Sequence, residues 1–175
     1  MDFPTIKTDR FLLRQFTDGD LENLFRGLSH PDVVPYYGVN FSTLEEAKEH
    51  LKWLAELEKT GTGIWWAICS ADNSTFMGAG GLNRISPVHK KAELSYWSLP
   101  AFWRQGVMTE TVPLICRYGF DVLGLHRVES FVESENQRCQ KAVAKLGFTY
   151  EGTMTDCETK HGRFISLGIY AMFNE

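Results

Sequence analysis

The sequence predicts an α/β or α+β protein built on one sheet of mixed strand direction. Two observations carry that expectation. Apolar periodicity alternates between strand and helix spacing, in the order β, α, α, β, β, β, α, β, α, β, β. Consecutive strands mixed with single helices then imply a sheet of mixed direction. The length supports it: 175 residues without a linker, repeat or low-complexity segment make one domain, 1–175, with a proper core.

The elements follow in chain order. "RFLLRQF" (Arg10 to Phe16) alternates weakly and reads as a first strand. In "TDGDLENLFRGLSHPD", Leu21, Leu24, Phe25 and Leu28 fall on one helical face. Thr17 or Asp18 caps that helix and Pro31 stops it. "FSTLEEAKEHLKWLAELEKTG" is a second helix, with a capping box from Ser42 and Glu45. Its buried stripe is Leu44, Ala47, Leu51, Leu54 and Ala55, and Gly61 closes it. "GIWWAICS", "TFMGAGGLNRIS" and "KKAELSYWSLP" are three strands. The middle one holds Gly78, Gly80 and Gly81, which suggests a bulge or the close approach of another group. Val107, Thr111, Leu114, Ile115, Tyr118 and Val122 keep helical spacing, with Pro113 inside as a local conflict. "HRVESFVES" is a strand and "NQRCQKAVAKLGF" a short helix ended by Gly147. The tail forms two strands around "KHGR".

Composition narrows the function. A formal charge of -4 argues against broad nucleic-acid binding, which wants a basic face, and leaves cationic partners open. Cys69, Cys116, Cys139 and Cys157 form no C-x-x-C pair, so a reduced, cytoplasmic compartment is expected. "MDFPTIKTDR" has no apolar signal region, and no run approaches the ~18 apolar residues of a membrane span. No metal is expected.

The chemistry centres on "FWRQGVMTET" (Phe102 to Thr111), a loop between a strand and a helix. Gly106 lets a ligand approach the backbone closely. The amides of Gln105, Gly106, Val107, Met108 and Thr109 are orphan donors at a helix start, where the dipole favours an anion. Arg104 adds charge. The same residues also make an ordinary turn, and Asn136 also makes an ordinary helix cap.

Together these segments resemble the Gcn5-related N-acetyltransferase (GNAT) superfamily, over essentially the whole chain. Within it, the chain is similar to the ribosomal-protein N-terminal acetyltransferase branch of RimJ/RimL type, whose start "IKTDRFLLRQFTDGDLENLF" also resembles. The resemblance implies a mostly antiparallel sheet of about six to seven strands, splayed in the middle and flanked by about four helices. It implies acetyl-coenzyme A in the gap. The pyrophosphate would rest on the amides of residues 105–109, and the pantetheine arm beside the backbone of Tyr96, Trp97 and Ser98. Asn136 matches the asparagine that contacts that arm. The chain departs from the family pattern at Trp103 and Met108 in the loop. Val143 stands where many members have a tyrosine acid, and Cys139 where this branch usually has serine.

The implied reaction is direct acetyl transfer to a primary amine, with the oxyanion held by a backbone amide near Tyr96 or Trp97. Glu93 is the leading base, with Glu133 and Glu135 behind it, and a structural carboxylate is the other reading of Glu93. Cys139 stands either beside the cofactor sulfur or in the core. "PYYG" (with Tyr37), Trp65, Trp66 and Asn83 are expected to wall the acceptor pocket, bordered by "KHGR". The acceptor that the resemblance implies is the N-terminal amine of a protein, ribosomal in that branch, or a small amine. A coenzyme A-binding module without catalysis is the third alternative. Exposed sheet edges leave a homodimer open.

Overall fold

The computed structural model describes residues 2–175. Among them eight strands form one sheet, ordered β1-β2-β3-β4-β5-β6-β8-β7. The elements are β1 (Ile6–Lys7), β2 (Phe11–Arg14), α1 (Leu21–Leu28), α2 (Leu44–Thr60), β3 (Ile64–Ser70), β4 (Phe76–Ser86) and β5 (Lys91–Ser98). Then come α3 (Val107–Asp121), β6 (Arg127–Glu133), α4 (Gln137–Lys145), β7 (Thr149–Lys160) and β8 (Arg163–Phe173). The segment order agrees with the sequence pattern. The extra strand is β1, whose two residues are too short to show a period.

Every neighbouring pair runs antiparallel except β5 and β6. Those two pair only over Lys91–Glu93 and Arg127–Glu129, then part. β5 stays bound to β4 as far as Ser98, and β6 stays bound to β8 as far as Glu133. Ion pairs pin the joined end: Glu129 is 2.9 Å from Lys91 Nζ and 2.8 Å from Arg127 Nε. A wedge-shaped gap opens beyond it.

The sheet is covered on both faces, which explains the unbroken apolar run of β3. Ile64, Trp66 and Ile68 face the core shared with α3, and Trp65, Ala67 and Cys69 face the core shared with α1 and α2. The glycines of β4 serve close approach. A Cβ at Gly81 would lie 2.4 Å from the Trp65 ring, and one at Gly80 would lie 2.7 Å from Ile115.

The cap of α2 differs from the expectation by one residue. Thr43 accepts from the Glu46 amide while Glu46 reaches back to Thr43. Ser42 with Glu45 does not form the box. Ala47 and Leu54 are buried, whereas Leu44 and Ala55 are exposed. Gly61 closes the helix in the left-handed conformation, as expected. Pro113 sits within an uninterrupted α3.

Candidate active site

The loop after β5 is built to expose amides. Trp103 Nε1 donates to the Ser98 carbonyl at 2.9 Å, folding the loop onto the end of the strand. Arg104 (φ 62) and Gly106 (φ 81) both take left-handed conformations and start α3 abruptly. Arg10 fastens the loop from outside: Nη2 donates to the Gln105 carbonyl at 2.6 Å, and the same guanidinium pairs with Glu110. The amides of Gln105 through Thr109 donate to no group among the described residues. They are the orphan donors of a helix start, with the dipole's positive end behind them. The Gln105 side chain turns back to the Ala101 carbonyl, so Gln105 offers only its backbone.

Register decides which backbone groups of β5 face the gap. The Leu99 amide donates to Met77, directly opposite in the β4–β5 ladder. In an antiparallel pair such residues alternate, so Trp97 and Ser95 spend their backbone groups on β4. Tyr96 and Ser98 turn theirs away from β4, toward the gap. The expectation that Trp97 supplies backbone to a ligand is therefore corrected. Its indole packs in the α1–α2 core, 5.8 Å from the Phe76 ring centre, and Trp97 is among the residues that line the cavity.

Asn136 begins α4, and its Oδ1 accepts from the Cys139 amide at 3.1 Å. The cap is real, yet the Nδ2 group donates to nothing among the described residues, so capping leaves it available for a ligand. Cys139, half-buried, lies 3.9 Å from the Tyr96 hydroxyl. Burial pushes the Cys139 thiol up, against the Tyr96 hydrogen bond, so it stays protonated at neutral pH. Burial raises Tyr96 as well. Val143 is fully buried and makes no polar contribution.

Two cavities meet here. The first, about 420 Å³, runs from Arg104, Gly106, Val107, Met108 and Thr109 past Ser98, Trp97 and Tyr96 to Asn136 and Cys139. Arg138 stacks 3.9 Å above the Trp103 ring at its rim, a cation–π contact that sequence spacing does not reveal. The second, about 630 Å³, holds Glu93, Asn83, Trp65, His50, Trp53, Glu133 and Glu158. Tyr36, Tyr37, Tyr96, Asn136 and Cys139 line both.

In the second cavity Asn83 Oδ1 accepts from Trp65 Nε1 at 2.7 Å, and Asn83 Nδ2 reaches Ser95 Oγ at 3.4 Å. Asn83 sits opposite Glu93 in the ladder. Burial pushes the Glu93 carboxyl up; the exposed Arg84, 3.4 Å away, lowers it, and Glu129 and Glu158 raise it further. The balance is a carboxyl above its ordinary range. Burial among Phe41 and Trp53 lowers His50 to about 4, so its imidazole is neutral. Trp66 lies elsewhere. It is fully buried on the α3 face, donating to the Pro4 carbonyl and packed edge-on against Tyr118. As a pocket wall it is replaced by its neighbour Trp65, because adjacent strand residues point to opposite faces. Glu135, exposed, lines neither cavity.

A splayed sheet, a helix start with free amides and a twin cavity between them together define the site. Residues 10–149 match the acetyltransferase (GNAT) domain family.

The chain belongs to the GNAT acetyltransferases.

It is 32% identical to an uncharacterized N-acetyltransferase of Bacillus subtilis (strain 168), over 97% of both chains. Solved structures share the fold. A ribosomal L7/L12 α-N-protein acetyltransferase, in complex with coenzyme A in disulfide linkage to a cysteine, superposes with TM-score 0.84 at 21% identity, covering 97% of this chain and 98% of that one. The spermidine N-acetyltransferase of Vibrio cholerae, in complex with coenzyme A and spermine, gives 0.83 at 18% identity, covering 95% and 96%. The resemblance to the RimJ/RimL type is consistent with the first of these. The protein is an acetyl-CoA-dependent acyltransferase, and the described residues gather no cluster suited to a metal ion.

Proposed function

We propose that this GNAT enzyme moves the acetyl group directly to a primary amine entering the second cavity, and that the N-terminal amine of a protein, ribosomal in the branch it resembles, is the acceptor. The observation that carries this reading is the meeting of the two cavities at Tyr96, Asn136 and Cys139. One side offers unpaired amides; the other offers a half-buried carboxylate with a raised pKa.

Acetyl-CoA supplies a thioester carbonyl for the amine to attack. The residue 105–109 amides fit its pyrophosphate, and Arg104 adds charge. The gap-facing backbone of Tyr96 and Ser98 suits the pantetheine arm, with Asn136 Nδ2 as a further donor. Glu93 takes the proton from the entering ammonium, because burial makes it a stronger base than an exposed glutamate. The Tyr96 amide serves the oxyanion. The Tyr96 hydroxyl, beside Cys139, donates a hydrogen bond to the departing sulfur, where Val143 cannot. Tyr37 and Asn83 shape the acceptor wall.

A second reading, a small polyamine acceptor, draws on a specific feature. Glu93, Glu133 and Glu158 share the second cavity with Tyr36, Trp53 and Trp65, a lining that suits a cation with more than one charge. An acceptor panel decides between them: peptides beginning Ala, Ser or Met, against spermidine and monoamines. The first reading predicts turnover with peptides and little with spermidine. Turnover with spermidine alone would replace it with the second. For assembly, the outermost strand β7 is exposed along nearly all its length, which supports pairing of copies by that edge.

A further inference from the structure

We infer that Lys160 is a positioning residue, a clasp that holds the Val34–Tyr37 loop over the junction of the two cavities. Its side chain bridges parts of the chain that share no backbone ladder. Nζ donates to the Pro35 carbonyl at 2.5 Å and to Glu133 Oε1 at 2.5 Å, and lies 5.8 Å from the centre of the Tyr36 ring. Pro35 is 125 positions away in sequence. The ammonium is screened from solvent, with the Lys160 side chain 22% exposed and Glu133 14%.

The fold is shaped to place it there. Lys160 is the last residue of β7, before the two-residue turn His161–Gly162. Both turn residues have positive φ, 49 and 75, the geometry of a tight hairpin that follows strand twist. Further back, the β7–β8 register slips between Met154 and Glu158, where Asp156 takes φ 48. A bulge of this kind re-aims the strand beyond it. The hairpin tip thus leans over the end of β6, where Glu133 waits.

On the far side of the clasp, the Val34–Tyr36 turn is held at its ends, by the Val34 amide donating to His30, the Tyr37 amide donating to Val34 and Tyr37 packed on the core, while its Pro35–Tyr36 tip is exposed. Tyr36 is 47% exposed. Yet Tyr36 and Tyr37 line both cavities, so their place sets the width of the passage where amine and thioester must meet. Lys160 ties that passage to β6, the wall opposite β5. The inference rests on the reading of the second cavity as the acceptor's.

The test separates positioning from mere stability. Lys160→Met leaves Glu133 half-buried and unpaired, which destabilises by itself. Lys160→Met combined with Glu133→Gln removes that unpaired charge. The double variant should therefore regain thermal stability while hydrogen exchange in residues 33–41 stays about tenfold faster than in the unaltered chain, the worth of one lost charge-assisted hydrogen bond. Lys160→Arg should restore slow exchange. Exchange at the α3 start should not change. In Lys160→Met alone, which keeps the Glu133 carboxylate, KM for whichever of spermidine and a Ser-initiated peptide turns over should rise about tenfold with kcat within about twofold. Exchange reads the clasp whether or not either probe is a substrate, so its failure is distinct from failure of the acceptor reading. Slow exchange at residues 33–41 in the double variant would overturn the inference, as would a fall in kcat with KM unchanged.

Discussion

On the mechanism proposed above, Glu93 carries function against the interest of the fold. Its raised carboxyl means that the folded protein disfavours the ionised form. The sign follows from linkage. A raised folded pKa gives a stabilising contribution that is full below the unfolded value and is lost as pH rises through the folded one. At neutral pH the ionised Glu93 therefore costs stability, and Glu93→Gln should melt at a higher temperature. The same variant should bind coenzyme A normally and lose turnover by about 10²- to 10⁴-fold. In the unaltered enzyme kcat/KM should climb with pH through the raised Glu93 value and lose that step in the variant. Lower melting together with retained activity would return Glu93 to a structural role. At this scale the sequence was informative where chemistry sits next to chain landmarks: Glu93, Asn136 and Cys139 all line a cavity. It was silent where partners are distant. Tyr96 meets Cys139 across 43 positions, and Lys160 meets Pro35 across 125.

Among the elements, α3 and its loop matter most. Gly106 at φ 81 holds a conformation that an L residue adopts at a cost of about 1–2 kcal/mol. A Cβ there would lie 3.1 Å from Arg10 Nη1, the flexible end of a side chain, so strain and not collision is the issue. Gly106→Ala should let the loop relax, and coenzyme A must then restore it. Affinity measured by calorimetry should fall by about fivefold or more, from that strain alone; unchanged affinity would mean that the loop's shape does not serve the ligand. Element types were legible because the periods of Leu21–Leu28 and of β3 to β5 are strong. The cap of α2 was not, because Ser42 and Thr43 are equally good caps and only the backbone chooses Thr43. The parity of β3 was hidden for a related reason. With both faces buried, nothing in "IWWAIC" says whether Trp65 or Trp66 faces the second cavity.

The whole molecule is a sheet clothed on both faces and opened along one seam. The seam is the parallel β5–β6 pairing, three residues long, closed at one end by the ion pairs of Glu129. Both cavities border it, since beyond Glu93 it leaves the Tyr96 backbone and the Ser98 amide without a strand partner on that side, the Ser98 carbonyl being taken by Trp103 Nε1. The mixed direction of the sheet was legible in the order of the segments. The splay was implied by the resemblance alone, because no local pattern marks where two strands part. We propose that the start of α3 seats a pyrophosphate at this seam. Calorimetry of coenzyme A beside pantetheine, which lacks the phosphates, tests it most directly. Coenzyme A should bind with a dissociation constant in the micromolar range, about −8 kcal/mol, and pantetheine more weakly by at least about tenfold. Equal affinities, or no binding of coenzyme A by folded protein, would contradict it.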